Sequence, residues 1–124
     1  MTVRLTRTLL LSLLLASCSR RDAQLSHQIA GTWNHDYPGT PVVLTINSDG
    51  SFTSKMWYPN LHPNQTNTWS GTWQISDGVF IVTCTRSNDV PVASVSHCKI
   101  IHLDAHDLTC EIDYLANGTI SYRR

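Results

Sequence analysis

The chain of 124 residues carries nine Lys and Arg against nine Asp and Glu, with 41% hydrophobic and 15% charged residues. This length corresponds to a single domain. The balanced, low charge content argues against a nucleic-acid-binding protein, which needs a basic patch, and against a disordered acidic tail.

The chain begins with basic residues followed by an apolar run. Arg4 and Arg7 precede the leucine-rich segment 9–16, which ends in Ser17-Cys18. This order is typical of a secretory signal peptide. The run is less than half of the roughly 20 apolar residues that a membrane-spanning helix needs, which argues against the alternative of an uncleaved anchor.

The end of this segment carries a recognisable motif. Leu15-Ala16-Ser17-Cys18 resembles the lipobox of bacterial lipoproteins. The resemblance implies that residues 1–17 are cleaved and that diacylglycerol and an acyl chain such as palmitate are attached to Cys18. Several acyl chains give stable membrane attachment. Because Ser19 rather than an aspartate follows the cysteine, the sorting pattern of Gram-negative lipoproteins implies the outer membrane, facing the periplasm.

The predicted processed chain consists of a short tether and one domain. Residues 18–28 are polar and are predicted to form a flexible tether, and residues 29–124 form the domain. Export to an oxidising compartment favours a disulfide among Cys84, Cys98 and Cys110, with one thiol left over. The sequence leaves the pairing open.

Beyond the tether, short alternating segments bounded by turn residues predict antiparallel strands. Ser48-Asp49-Gly50 and Ser76-Asp77-Gly78 predict hairpin turns. Pairing of Ile75 with Phe80 across the second turn directs Phe80, Val82 and Cys84 inward. The predicted strands span residues 29–35, 42–47, 51–58, 66–75, 79–85, 92–103, 108–114 and 119–123.

The short connections between these strands predict an all-β, up-and-down antiparallel meander. Closure of eight strands into a small barrel removes the exposed edges. It leaves an interior that holds side chains or one small ligand.

The first strand carries a family resemblance. Gly31-x-Trp33, followed by a meander with Asp-Gly hairpins, resembles the lipocalins and especially the small bacterial lipocalin-like lipoproteins. The resemblance implies that Trp33 closes the base of the barrel, with Arg123 of the last strand stacked across it by a cation–π contact. Avidins share this opening, but their biotin-contact residues have no clear counterparts here.

Four tryptophans are many for so small a domain. Trp33 and Trp73, each in a Gly-Thr-Trp context, are predicted to pack in the core. Trp57, Tyr58 and Trp69 flank a predicted loop at 59–65 and are candidates for a ligand-binding barrel mouth. The alternative for these three is simple packing at the rim.

Metal and catalytic chemistry find little support. Cys98, His102, His106 and Cys110 recur every four residues, which on a helix would make a zinc site. Here they fall on a predicted strand and turn, so no metal or cofactor is expected. His97 and Cys98 are strand neighbours and point to opposite faces. Without a nucleophile elbow or phosphate loop, no catalytic residue is assigned and no enzyme is expected.

Two functional hypotheses follow. The first is a lipid-anchored cell-envelope lipoprotein whose lipocalin-like barrel binds a small apolar or amphipathic molecule. The alternative is a packed barrel without a cavity that acts as an interaction or inhibitor module and docks an envelope protein. The expected partners are the membrane through Cys18, a small apolar ligand or an envelope protein, and no nucleic acid.

Overall fold

A computed structural model of the protein describes residues 19–37, 39–112 and 118–124. The predicted signal peptide, Cys18 and residues 113–117 lie outside the described residues. Helix α1 (residues 19–29) precedes the strands. The strands are β1 (Gly31–Tyr37), β2 (Thr40–Ile46), β3 (Ser51–Tyr58), β4 (His62–Ser76), β5 (Val79–Ser87), β6 (Val90–Leu103), β7 (Asp107–Ile112) and β8 (Thr119–Arg123).

The strands form a closed antiparallel barrel in the order β1 to β8, which confirms the predicted meander. Each strand pairs with its successor, and pairing of Asn34 with Arg123 joins β1 to β8. Within the described part of the chain, no helix combines the length and apolar character that a membrane crossing needs.

The predicted strands agree closely with the observed ones, and β3 and β8 have the predicted bounds. The main difference is β4, which begins at His62 rather than at Thr66. A bulge between Trp57 and Tyr58 allows Tyr58 to pair with His62. The hairpin therefore continues through part of the predicted loop.

The alternation of side chains along each strand determines which residues form the core. Ile75 pairs with Phe80, as predicted, and Phe80 is buried. Trp73 packs against the core cluster, its ring centroid 6.0 Å from that of Phe80, while its indole nitrogen donates to the carbonyl of Asn47 at 2.8 Å. One side of every hairpin thus faces a shared interior.

Residues 19–29 form a helix, where the sequence analysis expected a flexible tether. Asp22, Leu25, Ser26 and Ile29 are buried or half-buried and recur at the spacing of one helix face. The Asp22 carboxylate accepts hydrogen bonds from the backbone N–H groups of Asp77 and Gly78, at 2.9 and 3.0 Å. The helix is therefore bound to the β4–β5 turn.

The end of the barrel beside α1 is closed by Trp33, which is fully buried. Its indole nitrogen donates to the carbonyl of Ile29 at 2.8 Å. The guanidinium of Arg124 lies 4.0 Å from the centre of the Trp33 ring. It also donates to the carbonyls of Gln28 (2.7 Å) and Ala30 (2.9 Å), near the C-terminal end of α1, where a cation is favoured.

The stacked residue is therefore Arg124 and not the predicted Arg123. Tyr122 packs inward against the core, so alternation directs Arg123 outward, where its side chain is 86% exposed and pairs with Asp107 at 3.5 Å. Arg124, two positions after Tyr122, returns to the inner side.

Gly31 is required by this arrangement. Its φ of +138° is one that side-chain-bearing residues rarely adopt, and a Cβ there would lie 2.6 Å from Nη1 of Arg124. The Gly-x-Trp pattern therefore allows the chain to enter β1 beneath the guanidinium.

Trp33→Ala is expected to lower the free energy of unfolding by about 3–5 kcal/mol, because it removes a fully buried aromatic side chain. Chemical denaturation measures this. Leu61→Ala, at a side chain that is 73% exposed, serves as the control and is expected to change it by less than about 0.5 kcal/mol. Equal effects of the two variants would contradict the placement of Trp33.

Arg124→Ala is expected to cost about 1–2 kcal/mol through the loss of charged hydrogen bonds and the stacking contact. The neighbouring Arg123→Ala removes one exposed ion pair and should cost less than about 0.5 kcal/mol. Thermal or urea unfolding of the two variants tests this, and the reverse order would contradict the assignment.

Candidate ligand-binding cavity

The inner faces of the strands line a half-open cavity of about 930 Å³. Its walls include residues from all eight strands. Its floor is formed by Leu44, Phe52, Phe80 and Leu108, all of which are buried. Because these are apolar side chains above the closed end, the lower cavity is a hydrophobic site.

Hydroxyl groups and one indole lie above this floor. Trp69 on β4 pairs with Ser54 on β3 and with Ser87 on β5, and all three line the cavity. Ser94 and Ser96 on β6 add two further hydroxyl-bearing side chains. The cavity thus passes from an apolar floor to a wall that can form neutral hydrogen bonds.

Of the three predicted mouth residues, only Trp69 lines the cavity. Trp57 instead borders a separate groove of about 540 Å³, with Asn34, Val43 and Arg123. Alternation explains the difference, because the neighbouring Met56 lines the cavity and Trp57 therefore faces outward. The Tyr58 hydroxyl donates to Sδ of Met56 at 3.1 Å, so it contacts a wall residue without lining the cavity itself.

His35 lies where the cavity and the outer groove meet at the β1–β8 seam. Its Nδ1 is 2.6 Å from the carbonyl oxygen of Ser121, so Nδ1 is the donor. The imidazole packs at a tilt against Tyr122, with ring centroids 5.5 Å apart. The sequence analysis missed this residue, although its position two after the inward Trp33 was a signal for it.

The three cysteines also line the cavity, and none forms a disulfide in the structure. Cys84 and Cys98 lie on paired strands but four register positions apart, roughly 13 Å, which is too far for a bond. Cys98 and Cys110 lie two positions apart on the paired strands β6 and β7. Such diagonal neighbours are about 7–8 Å apart, which also exceeds the span of a disulfide without backbone movement.

Burial, with a smaller effect from Cys98, raises the pKa of the Cys110 thiol to about 12 from 9.0. The neutral Cys110 thiol therefore makes its full contribution to the free energy of unfolding below pH 9. This contribution is lost as the pH rises from 9 towards 12, because the thiol of the unfolded protein ionises first.

We expect the folded protein at pH 8 to alkylate at Cys110 with iodoacetamide at least tenfold more slowly than the urea-unfolded protein, since the thiolate is the reactive form. Peptide mapping by mass spectrometry measures this. Denaturation between pH 9 and 11, with Cys110→Ala as control, tests the pH dependence. Comparable rates, or identical pH profiles of the two proteins, would contradict the raised pKa.

Of the histidines considered for zinc, His106 lies in the β6–β7 turn and His102, near the end of β6, contacts that turn. The Asp104 carboxylate accepts hydrogen bonds from the N–H of His106 (2.8 Å), the ring of His102 (2.8 Å) and the N–H of Asp107 (2.7 Å), which together lower its pKa to about 2. Arg124 donates to the carbonyl of Ala105 in this turn. Among the described residues, no three His, Cys, Asp or Glu side chains are placed to hold a metal.

Comparison with known proteins adds no identification. No protein family, curated protein or solved structure matches the chain.

Proposed function

We propose that the protein is a lipid-anchored lipoprotein of the bacterial cell envelope whose barrel binds one small apolar or amphipathic molecule. The observation that carries this proposal is the cavity of about 930 Å³ above an apolar floor. Small-molecule sites are concave, mostly apolar and about 300–1,000 Å³ in volume. The alternative of a packed barrel requires a lumen filled by side chains, so the cavity favours ligand binding.

The position of α1 supports an orientation for the anchored protein. Ser19, which follows Cys18 in the sequence, is the first described residue of the helix, and the helix is bound through Asp22 to the β4–β5 turn at the closed end. A lipid on Cys18 therefore attaches beside the closed end. The opposite end, formed by the β3–β4 and β5–β6 hairpins, then points away from the membrane and gives a ligand its route into the cavity.

Ligand binding in the lumen is tested with a fluorescent probe and with a variant whose larger side chain fills part of the cavity. N-phenyl-1-naphthylamine, a neutral fluorescent probe of apolar sites, is expected to bind with a rise in emission. Ser54→Phe, on the cavity wall, should weaken this binding at least tenfold, whereas Thr53→Phe, exposed on the same strand, should leave it within about twofold. Absence of probe binding, or equal effects of the two variants, would contradict a binding lumen.

The anchor is tested at Cys18. When the protein is expressed with its own signal segment, Cys18→Ala is expected to leave the membrane fraction and to remain folded, since the acyl chains supply the attachment. Cys84→Ala, which changes a cavity thiol, should stay in the membrane fraction. Fractionation with immunoblotting measures both variants, and membrane retention of Cys18→Ala would refute the anchor.

A further inference from the structure

Three charged side chains on the strands around the cavity, those of Lys55, Lys99 and Glu111, lie on its outer side. Lys55 follows the inward Ser54, Lys99 follows the inward Cys98, and Glu111 follows the inward Cys110; all three charged residues are exposed. Among the described residues, the cavity wall contains no Asp, Glu, Lys or Arg. Because successive side chains on a strand point to opposite faces, these three charged groups lie outside the lumen.

The basic side chain that does reach the described wall is already engaged. Nδ1 of His35 donates to the carbonyl of Ser121 at 2.6 Å, and the ring packs against Tyr122. The imidazole thus connects β1 to β8.

Besides the Trp69 indole and the three thiols, the remaining polar groups of the described wall are hydroxyls. Ser54 and Ser87 flank Trp69, and Ser94 and Ser96 lie on β6. A serine hydroxyl both donates and accepts, so it can bind a hydroxyl, carbonyl or amide group. Neutral hydroxyls do not replace the hydration of a full charge, and burial of an unpaired ion is strongly unfavourable.

We propose that the cavity selects an uncharged amphipathic ligand, with an apolar body on the floor and a hydroxyl, carbonyl or amide group at the serines. This inference rests on the proposed function and adds to it the charge of the ligand. It excludes carboxylates and ammonium ions whose charged group has to enter the lumen.

A matched ligand series tests the inference. The compounds are 1-naphthalenemethanol, 1-naphthoate and 1-naphthylmethylammonium, which share one rigid ring system and differ in charge. Their short substituents keep the polar group close to the ring and so within the lumen. Displacement of N-phenyl-1-naphthylamine from the purified protein at pH 7 gives the three affinities, and calorimetry checks them.

The alcohol is expected to bind at least tenfold more tightly than either ion. If an ion binds as tightly as the alcohol, the inference is overturned, while the proposed binding lumen stands because the probe has been displaced. If the probe itself does not bind, the proposed function fails and the inference fails with it. The two failures are therefore distinguishable.

A variant pair locates the polar group. Ser54→Asp places a carboxylate on the wall and should improve binding of the ammonium compound at least tenfold, whereas Thr53→Asp, on the outer face, should not. Should Ser54→Asp fail to fold, Ser54→Ala should weaken binding of the alcohol severalfold, with Thr53→Ala as its control. An unchanged ammonium affinity in Ser54→Asp, or an unchanged alcohol affinity in a folded Ser54→Ala, would overturn placement at the serines.

Discussion

The contact between the Arg124 guanidinium and the buried Trp33 ring holds the closed end of the barrel together. The same guanidinium binds the carbonyls of Gln28 and Ala30 beside α1 and of Ala105 in the β6–β7 turn. The helix is bound in turn to the β4–β5 turn through Asp22. These contacts join the helix, two turns and Arg124 beneath the cavity floor. The closed base of the cavity therefore depends on them.

Much of the fold was predictable because alternation and turn chemistry are local properties. The Asp77-Gly78 turn determined that Ile75 would face Phe80, and this pairing set the inner face of β5. The same rule, applied from Tyr122, would have identified Arg124 rather than Arg123 as the stacked residue. Arg123 matched the family resemblance as the last predicted strand residue, but its side chain lies on the outer face. Trp57 was a candidate because it flanks the predicted loop, but Met56 occupies the inner position beside it.

The helix and the cavity were harder to predict. On the buried face of α1, Leu25 and Ile29 are the large apolar residues and Asp22 and Ser26 are polar, so the periodicity is weak. The helix is held by a carboxylate that binds a turn 55 residues away, which no local pattern reveals. The site was predicted at large aromatic residues. A cavity forms instead where the inward-facing positions of the strands hold small residues. Ser54, Ser96 and Cys98 are such positions, and their effect depends on closure of the barrel.

The proposed site for a neutral amphipathic molecule rests on three features: charge on the outer face, hydroxyls on the upper wall and apolar side chains on the floor. A nondenaturing mass spectrum of the protein purified from a native-like host tests this central claim most directly, because a tightly held ligand is carried through purification. The account predicts extra mass that is lost on denaturation and that belongs to an uncharged compound. A spectrum with no extra mass that is lost on denaturation, in every native-like preparation, would contradict it.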